Sequence, residues 1–229
     1  MQYLGGKSRI AKDISNIINQ YSKDKLFISL FCGTCSIESL VNAKQKVCND
    51  SQEYLIELWN QLKNGLDLPE TITEGDYQYY KNNKNENKAL TAFIGFGCSF
   101  GGKWFGGYAR QTKGLNYAKT AKNSLLRKLK GLQNTEFICS DYRNVKIPNG
   151  TIIYCDPPYE NTTKYSNSNN FDHEEFWNYM RKLSKNNTVF ISEINAPSDF
   201  KIIWQKDFTR NLDANVVFTS TEKLYQHNI

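Results

Sequence analysis

Ile152-Ile153-Tyr154-Cys155-Asp156-Pro157-Pro158-Tyr159 is the stretch that decides how this chain is read. Four consecutive apolar residues form a short run of the kind that makes a fully buried strand. The two prolines end it, because each removes a backbone donor and fixes φ, so the chain leaves the strand rigidly extended. What remains at that end is the Asp156 carboxylate, nearby carbonyls and an aromatic ring. That set suits a planar amino group, whose two N–H bonds are accepted in plane while the ring stacks on the attached heterocycle. The plain alternative is a strand-ending turn with a surface tyrosine.

Outward from this strand the chain alternates helix and strand. Ile10, Ile14, Ile17, Ile18 and Tyr21 recur at helical spacing after Ser8, which reads as the cap. Leu26 to Phe31 reads as a strand ending in the turn Cys32-Gly33-Thr34, and Ser36 reads as the start of a second helix over Ile37, Leu40 and Val41. Lys46 to Asn49 is a strand with Asp50 at its carboxyl end, followed by a helix whose face carries Leu55, Leu58, Trp59 and Leu62 and which Gly65 stops. Beyond Gly65, residues 66–88 are polar, and residues 95–107 hold six of the 14 glycines. A Lys/Leu-rich helix over about 118–131 leads to strand Glu136–Ser140. Asp172 and Glu175 form a capping-box pattern for a helix through Phe176, Met180 and Leu183. Strand Val189–Ser192 and two more strands within 202–219 complete the pattern. Such alternation predicts an α/β fold, a mostly parallel sheet with helices on both faces. Ligands on such sheets bind at the carboxyl ends of strands, and Cys32–Cys35, Asp50, Asp141 and Asp156 all fall at such ends.

Composition narrows the class. No apolar run approaches the ~20 residues of a membrane span, and Lys7, Arg9, Lys12 and Asp13 interrupt any secretory core near the start. With 4 Trp, 14 Tyr and 13 Phe, disorder is excluded. The reading is a soluble, cytoplasmic globular protein. Its net charge of +6 is compatible with a polyanion partner without requiring one. Six cysteines with no leader read as reduced, mostly buried thiols. Cys32-x-x-Cys35 has no second cysteine pair to complete a zinc site, and the only histidines are His173 and His227, so no metal is expected.

Taken together these motifs resemble the Dam-type (D12 class) DNA adenine N6-methyltransferases, closely the short forms of phages and mobile elements. Tyr3-Leu4-Gly5-Gly6-Lys7 resembles their aromatic-x-Gly-Gly-Lys start, and Phe31-Cys32-Gly33-Thr34-Cys35-Ser36 their Phe-x-Gly-x-Gly-Ser turn. Asn49-Asp50, Ser140-Asp141-Tyr142, Asp156 to Tyr159, Val189–Ser192 and Glu222–Tyr225 follow in the family's order. The resemblance implies a Rossmann-like fold that binds S-adenosylmethionine, releases S-adenosylhomocysteine and acts on double-stranded DNA as a monomer, in a bacterial or phage-infected cell. It leaves open whether a partner restriction endonuclease exists.

Residue by residue, the resemblance implies that Asp156, Pro157 and Tyr159 are catalytic, with Tyr159 stacked on a flipped adenine. Cofactor binding falls to Tyr3, Gly6, Lys7, Phe31, Cys32, Gly33, Asp50, Asp141, Tyr142 and Asp156. Within that set Asp50 takes the ribose hydroxyls, Asp141 and Tyr142 the adenine, and Lys7 the cofactor carboxylate. DNA contacts are implied at Lys103, Trp104, Tyr108, Arg110 and Lys164, with the loop 160–171, including Tyr165, closing over the substrate. A glycine-rich packing corner is the plainer reading of 93–110. The implied organisation is a catalytic domain in two parts, 1–65 and 135–229, around a target-recognition insert, 66–134. Two departures stand out: Ser29-Leu30 replaces the family's Glu-Pro, and Cys35 replaces its second glycine, a change that a φ below zero would accommodate. Cytosine N4, adenine in RNA, and a DNA-binding homologue without chemistry remain alternatives.

Overall fold

The computed structural model describes residues 1–110, 114–160, 171–213 and 216–228, with backbone only at 209–213 and 216–219. Lys164, Tyr165 and most of the loop 160–171 lie outside the described residues.

Seven strands form one sheet: β1 (Leu26–Ser29), β2 (Gln45–Asp50), β3 (Thr135–Cys139), β4 (Ile152–Cys155), β5 (Thr188–Glu193), β6 (Phe200–Asp213) and β7 (Val216–His227). Their spatial order is β3-β2-β1-β4-β5-β7-β6. The first five are parallel, while β7 runs antiparallel between β5 and β6. The order reverses between β1 and β4, which opens a crevice at their carboxyl ends. Those ends are tied together, since Leu30 N–H donates to the Tyr154 carbonyl at 3.0 Å.

Strand alternation sorts the side chains. Phe27, Ile152, Tyr154 and Phe190 face one side with Ile10, Ile14 and Ile18 of α1 (Ala11–Ser22). Ile28, Ile153, Cys155, Val189 and Ile191 face the other with Phe176, Trp177 and Met180 of α6 (His173–Ser184). Both faces are therefore covered, as a parallel sheet requires. A third cluster joins Cys48 and Phe137 of β2 and β3 to α2 (Glu53–Lys63), α4 (Lys88–Gly97) and α5 (Tyr117–Leu129). α3 (Glu74–Asn82) contributes Tyr77 to it. Leu55 and Trp59 thus share one core with Phe93, Phe96 and Leu125, so residues 66–134 are packed into the sheet's flank.

Three local expectations are corrected. The segment after Ser36 forms only a 3-10 turn, Glu38–Leu40, because the chain must reach β2 within four further residues. Ser8 does not cap α1; its hydroxyl lies 3.3 Å from that of Ser36, and Ile10 occupies the cap position without a side-chain bond. Cys35 has φ +50°, in the left-handed region that a residue with a Cβ enters at about 1–2 kcal/mol. The local turn holds it there, with Cys35 N–H donating to the Cys32 carbonyl at 2.8 Å.

Candidate active site

A cleft of about 1120 Å³ opens at the switch between β1 and β4. Its walls come from the start of the chain, the ends of β1, β2, β3 and β4, and the strand β7.

The turn after β1 is held by side chains from two elements. Gly33 has φ +48°, and its N–H donates to Asp50 Oδ2 at 2.7 Å while its carbonyl accepts from Trp59 Nε1 at 3.1 Å. A Cβ on Gly33 would only touch the Tyr3 ring, at 3.4 Å, so it is the left-handed φ that calls for glycine here. Asp50 Oδ1 accepts from Gln52 N–H at 2.9 Å, and burial pushes its carboxyl above the usual range. Beside it, Asn49 donates to the Leu30 and Ser140 carbonyls at 3.0 and 3.1 Å. Its Oδ1 is buried with no hydrogen-bond donor among the described residues.

Along the next wall the Phe31 ring lies 5.2 Å from Tyr142 and 5.9 Å from Phe171, an aromatic surface suited to a flat heterocycle. Asp141 is engaged by Arg143, whose Nε and Nη2 donate to its two oxygens at 2.8 and 2.6 Å. That pair holds the Asp141 carboxyl below its ordinary range. Arg143 also reaches Glu175 at 2.7 Å.

At the end of β4, Asp156 meets the chain's start. Lys7 Nζ lies 3.1 Å from Asp156 Oδ1, 3.7 Å from Glu222 Oε2 and 4.3 Å from the centroid of the Tyr159 ring. It also donates to the Gly5 carbonyl at 3.2 Å. The resemblance implies Lys7 for the cofactor carboxylate; in the structure its ammonium lies against the turn Asp156–Tyr159. The Tyr159 hydroxyl donates to Glu222 Oε2 at 3.0 Å. Burial pushes the Asp156 carboxyl up to about 6, against the pull of Lys7.

The glycine-aromatic stretch is chiefly a packing corner that holds the chain's start in place. Gly95 and Gly97 lie inside α4, where a Cβ at 95 would come within 2.7 Å of the Phe105 and Trp104 rings. The Gly102 carbonyl accepts from Leu4 N–H at 3.2 Å, and a Cβ on Gly102 would sit 2.5 Å from Tyr3 N. Lys103 and Trp104 line the cleft. Tyr108 instead donates its hydroxyl to the Ile72 carbonyl at 2.7 Å, with its ring against Tyr77, and Arg110 pairs with Glu74 at 2.8 Å. Both of those side chains are thus committed within the segment 66–110.

Three acidic residues near the turn were given no role by the sequence, although Glu222 opens the Glu222–Tyr225 stretch that follows the family's order. Glu38, at the start of the short turn after Ser36, accepts from Ser29 Oγ at 2.7 Å. It thereby brings a carboxyl to the place where the family's Glu-Pro is replaced by Ser29-Leu30. Burial pushes Glu38 up to about 8, and does the same to Glu193 at the end of β5. Glu222 is the third. Cys32, Cys35 and Cys48 pack together beneath the turn, with burial pushing the first two thiols up. No group of three or more His, Cys, Asp or Glu among the described residues is arranged to hold a metal ion.

Comparison with known proteins finds a family for the chain. The sequence profile of the D12 class N6 adenine-specific DNA methyltransferases matches residues 3–94 and 103–214. The type II methyltransferase M.FokI of Planomicrobium okeanokoites is 21% identical over 210 residues, covering 80% of this chain and 32% of the relative. The chain therefore spans about a third of the length of that curated relative. Among solved structures, the rRNA methyltransferase aviRa of Streptomyces viridochromogenes aligns at 10% identity over 99% of this chain and 87% of its own, TM-score 0.44. TrmN of Thermus thermophilus aligns at 11% over 96% and 48%, TM-score 0.41. The family match takes in the chain's start, the turn after β1 and the Asp156 tetrapeptide, and by it this chain belongs to the D12 class N6 adenine-specific DNA methyltransferases.

Proposed function

We propose that this chain transfers a methyl group from S-adenosylmethionine to N6 of an adenine displaced from double-stranded DNA. The observation that carries the reading is one cleft that joins the Asp156 carboxylate and the Tyr159 ring to the glycine turn at Gly33. The residues fit the cofactor: a glycine turn with a ring against it, the Phe31–Tyr142 surface for the adenine, and Asp50 at the cleft wall for hydroxyls. S-adenosylmethionine supplies, when bound, a methyl group activated on a sulfonium.

The target atom is inaccessible inside a duplex, so the base must leave the stack at a cost of a few kcal/mol. Tyr159 offers the ring on which it stacks. Asp156 and the Pro157 carbonyl each accept one N6 hydrogen. With both hydrogens in use, the nitrogen lone pair turns out of ring conjugation and toward the methyl. The residues hold the reacting atoms in line, which is the main contribution a protein can make to a direct displacement. As the new N–C bond forms, N6 takes on positive charge and must shed a proton, and Asp156 is the base in reach. A carboxyl near 6 is ionised at neutral pH yet basic enough to take that proton.

Residues 66–134 supply target recognition in this reading, with Lys103 on phosphate and Trp104 stacking near the displaced base. The test is nucleoside mass spectrometry on DNA from a methylation-free host expressing wild type or Asp156→Ala. N6-methyladenine with the wild type alone is expected. N4-methylcytosine would sink the substrate, and a variant rate within a few-fold of wild type would sink the role of Asp156.

A further inference from the structure

The Lys7 ammonium presents to the catalytic turn what an exocyclic amine would present. It is an N–H donor 3.1 Å from Asp156 and 4.3 Å from the centre of the Tyr159 ring. Asp156 Oδ1 has this ion pair but no hydrogen bond among the described residues, so an amino group that bonds to it enters the space the Lys7 ammonium faces. Lys7 is buried to 8% exposure, so its charge needs an anion wherever it goes. Glu222, across the turn on β7, is that anion: its Oε2 is already 3.7 Å from Nζ and holds the Tyr159 hydroxyl at 3.0 Å.

Resting on the proposed methyl transfer, we infer that Glu222 is a positioning residue: it fixes the Tyr159 ring and takes over Lys7 when the target amino group displaces that ammonium from Asp156. The other groups facing Asp156 do not compete for this part. Glu38, from the turn after β1, and Glu193, from β5, are pushed up to about 8 by burial and stay largely protonated at neutral pH. Tyr154, on β4, gives its hydroxyl to a 2.8 Å contact with Ser192. The charged set is Asp156, Lys7 and Glu222, with Tyr159 bridging to the last.

The arrangement has a signature that a merely structural contact lacks. Lys7 draws the Asp156 carboxyl down and Glu222 pushes it up, so removing each charge moves the acid limb of kcat/KM in opposite directions. The experiment measures adenine methylation against pH for wild type, Lys7→Gln, Glu222→Gln and Glu222→Asp, each confirmed folded by its melting transition. Lys7→Gln should shift the limb to higher pH, and Glu222→Gln should shift it to lower pH with kcat reduced about tenfold. Glu222→Asp, which keeps the charge but withdraws it by a methylene, should leave the limb near its wild-type position while still lowering kcat. The inference is overturned if Glu222→Gln keeps kcat within twofold. It is equally overturned if the limb stays in place in Glu222→Gln, or moves as far in Glu222→Asp as in Glu222→Gln. Wild-type protein that forms no N6-methyladenine would instead fail the proposed function itself, a separate result.

Discussion

Asp156 is pulled in two directions, and its carboxyl settles near 6 because burial outweighs Lys7. The folded protein thus holds this proton more tightly than the unfolded chain, where the value is near 3.8. The sign follows from linkage: this group's contribution to stability is full below about pH 4 and is lost as pH rises through about 6. The difference corresponds to about 3 kcal/mol. Denaturant unfolding of wild type and Asp156→Asn should therefore show the variant gaining up to about 3 kcal/mol on wild type between pH 4 and pH 7. A gap that stays flat over that range would mean the carboxyl is not perturbed. Methylation should move the opposite way, rising through pH 6 as the carboxylate forms. The active site is thus held ionised at a cost in stability. The position of Asp156 at a strand end was legible in the sequence, because two prolines after an apolar run stop a strand. Glu38 was not, since an acidic residue in a turn acquires meaning only when folding sets it beside Ser29, and the Glu222–Tyr225 stretch was matched without its contact to Tyr159.

At the scale of elements, the sequence located most strands and the four longer helices α1, α2, α5 and α6, because their apolar spacing is regular. It failed where packing overrode local preference. The glycines at 95 and 97 look like loop residues, yet they lie in α4, where rings from Trp104 and Phe105 and the Met1 side chain fill the space a Cβ needs. The run after Ser36 has helical spacing, yet the short path to β2 allows one 3-10 turn. Gly102 shows what the glycine corner does for the site. It and Gly150 share a positive φ, +67° and +81°, so a Cβ strains both backbones alike. Only at 102 would that Cβ also strike backbone, at Tyr3 N 2.5 Å and Gln2 C 2.7 Å, whereas nothing lies within 4 Å at 150. Gly150→Ala should cost about 1 kcal/mol, and Gly102→Ala a further 1–3 kcal/mol from overpacking. Gly102→Ala should also weaken S-adenosylmethionine binding, because it displaces the segment that carries Tyr3 and Lys7. Melting curves and calorimetric titration of the two variants check this, and equal effects at both positions would sever the corner from the site.

Across the whole molecule, charge and core divide the work. A net +6 is compatible with a polyanion, and among the described residues three of the eleven Lys and Arg side chains of the segment 66–134 are answered by carboxylates within it. Arg110 pairs with Glu74 at 2.8 Å, Lys119 with Glu70 at 2.9 Å and Lys122 with Asp67 at 2.7 Å. These exposed pairs stitch residues 67–74 to 110–122 and are worth at most about 1 kcal/mol each. An arginine held by a carboxylate releases fewer counterions from DNA than one aimed at phosphate. Lys103 lines the cleft itself, and in the proposed function it meets phosphate. The sequence could not rank these cations, because charge type is visible in a chain and pairing across 36 residues is not. The salt dependence of DNA affinity ranks them. The slope of log K against log salt scales with the phosphates neutralised, so Lys103→Ala should reduce its magnitude by about 1. Arg110→Ala should leave the slope near wild type and change affinity by less than about 1 kcal/mol. If Arg110→Ala flattens the slope as much as Lys103→Ala does, then Arg110 leaves Glu74 for phosphate, and the DNA path extends beyond the cleft across the face that carries α3.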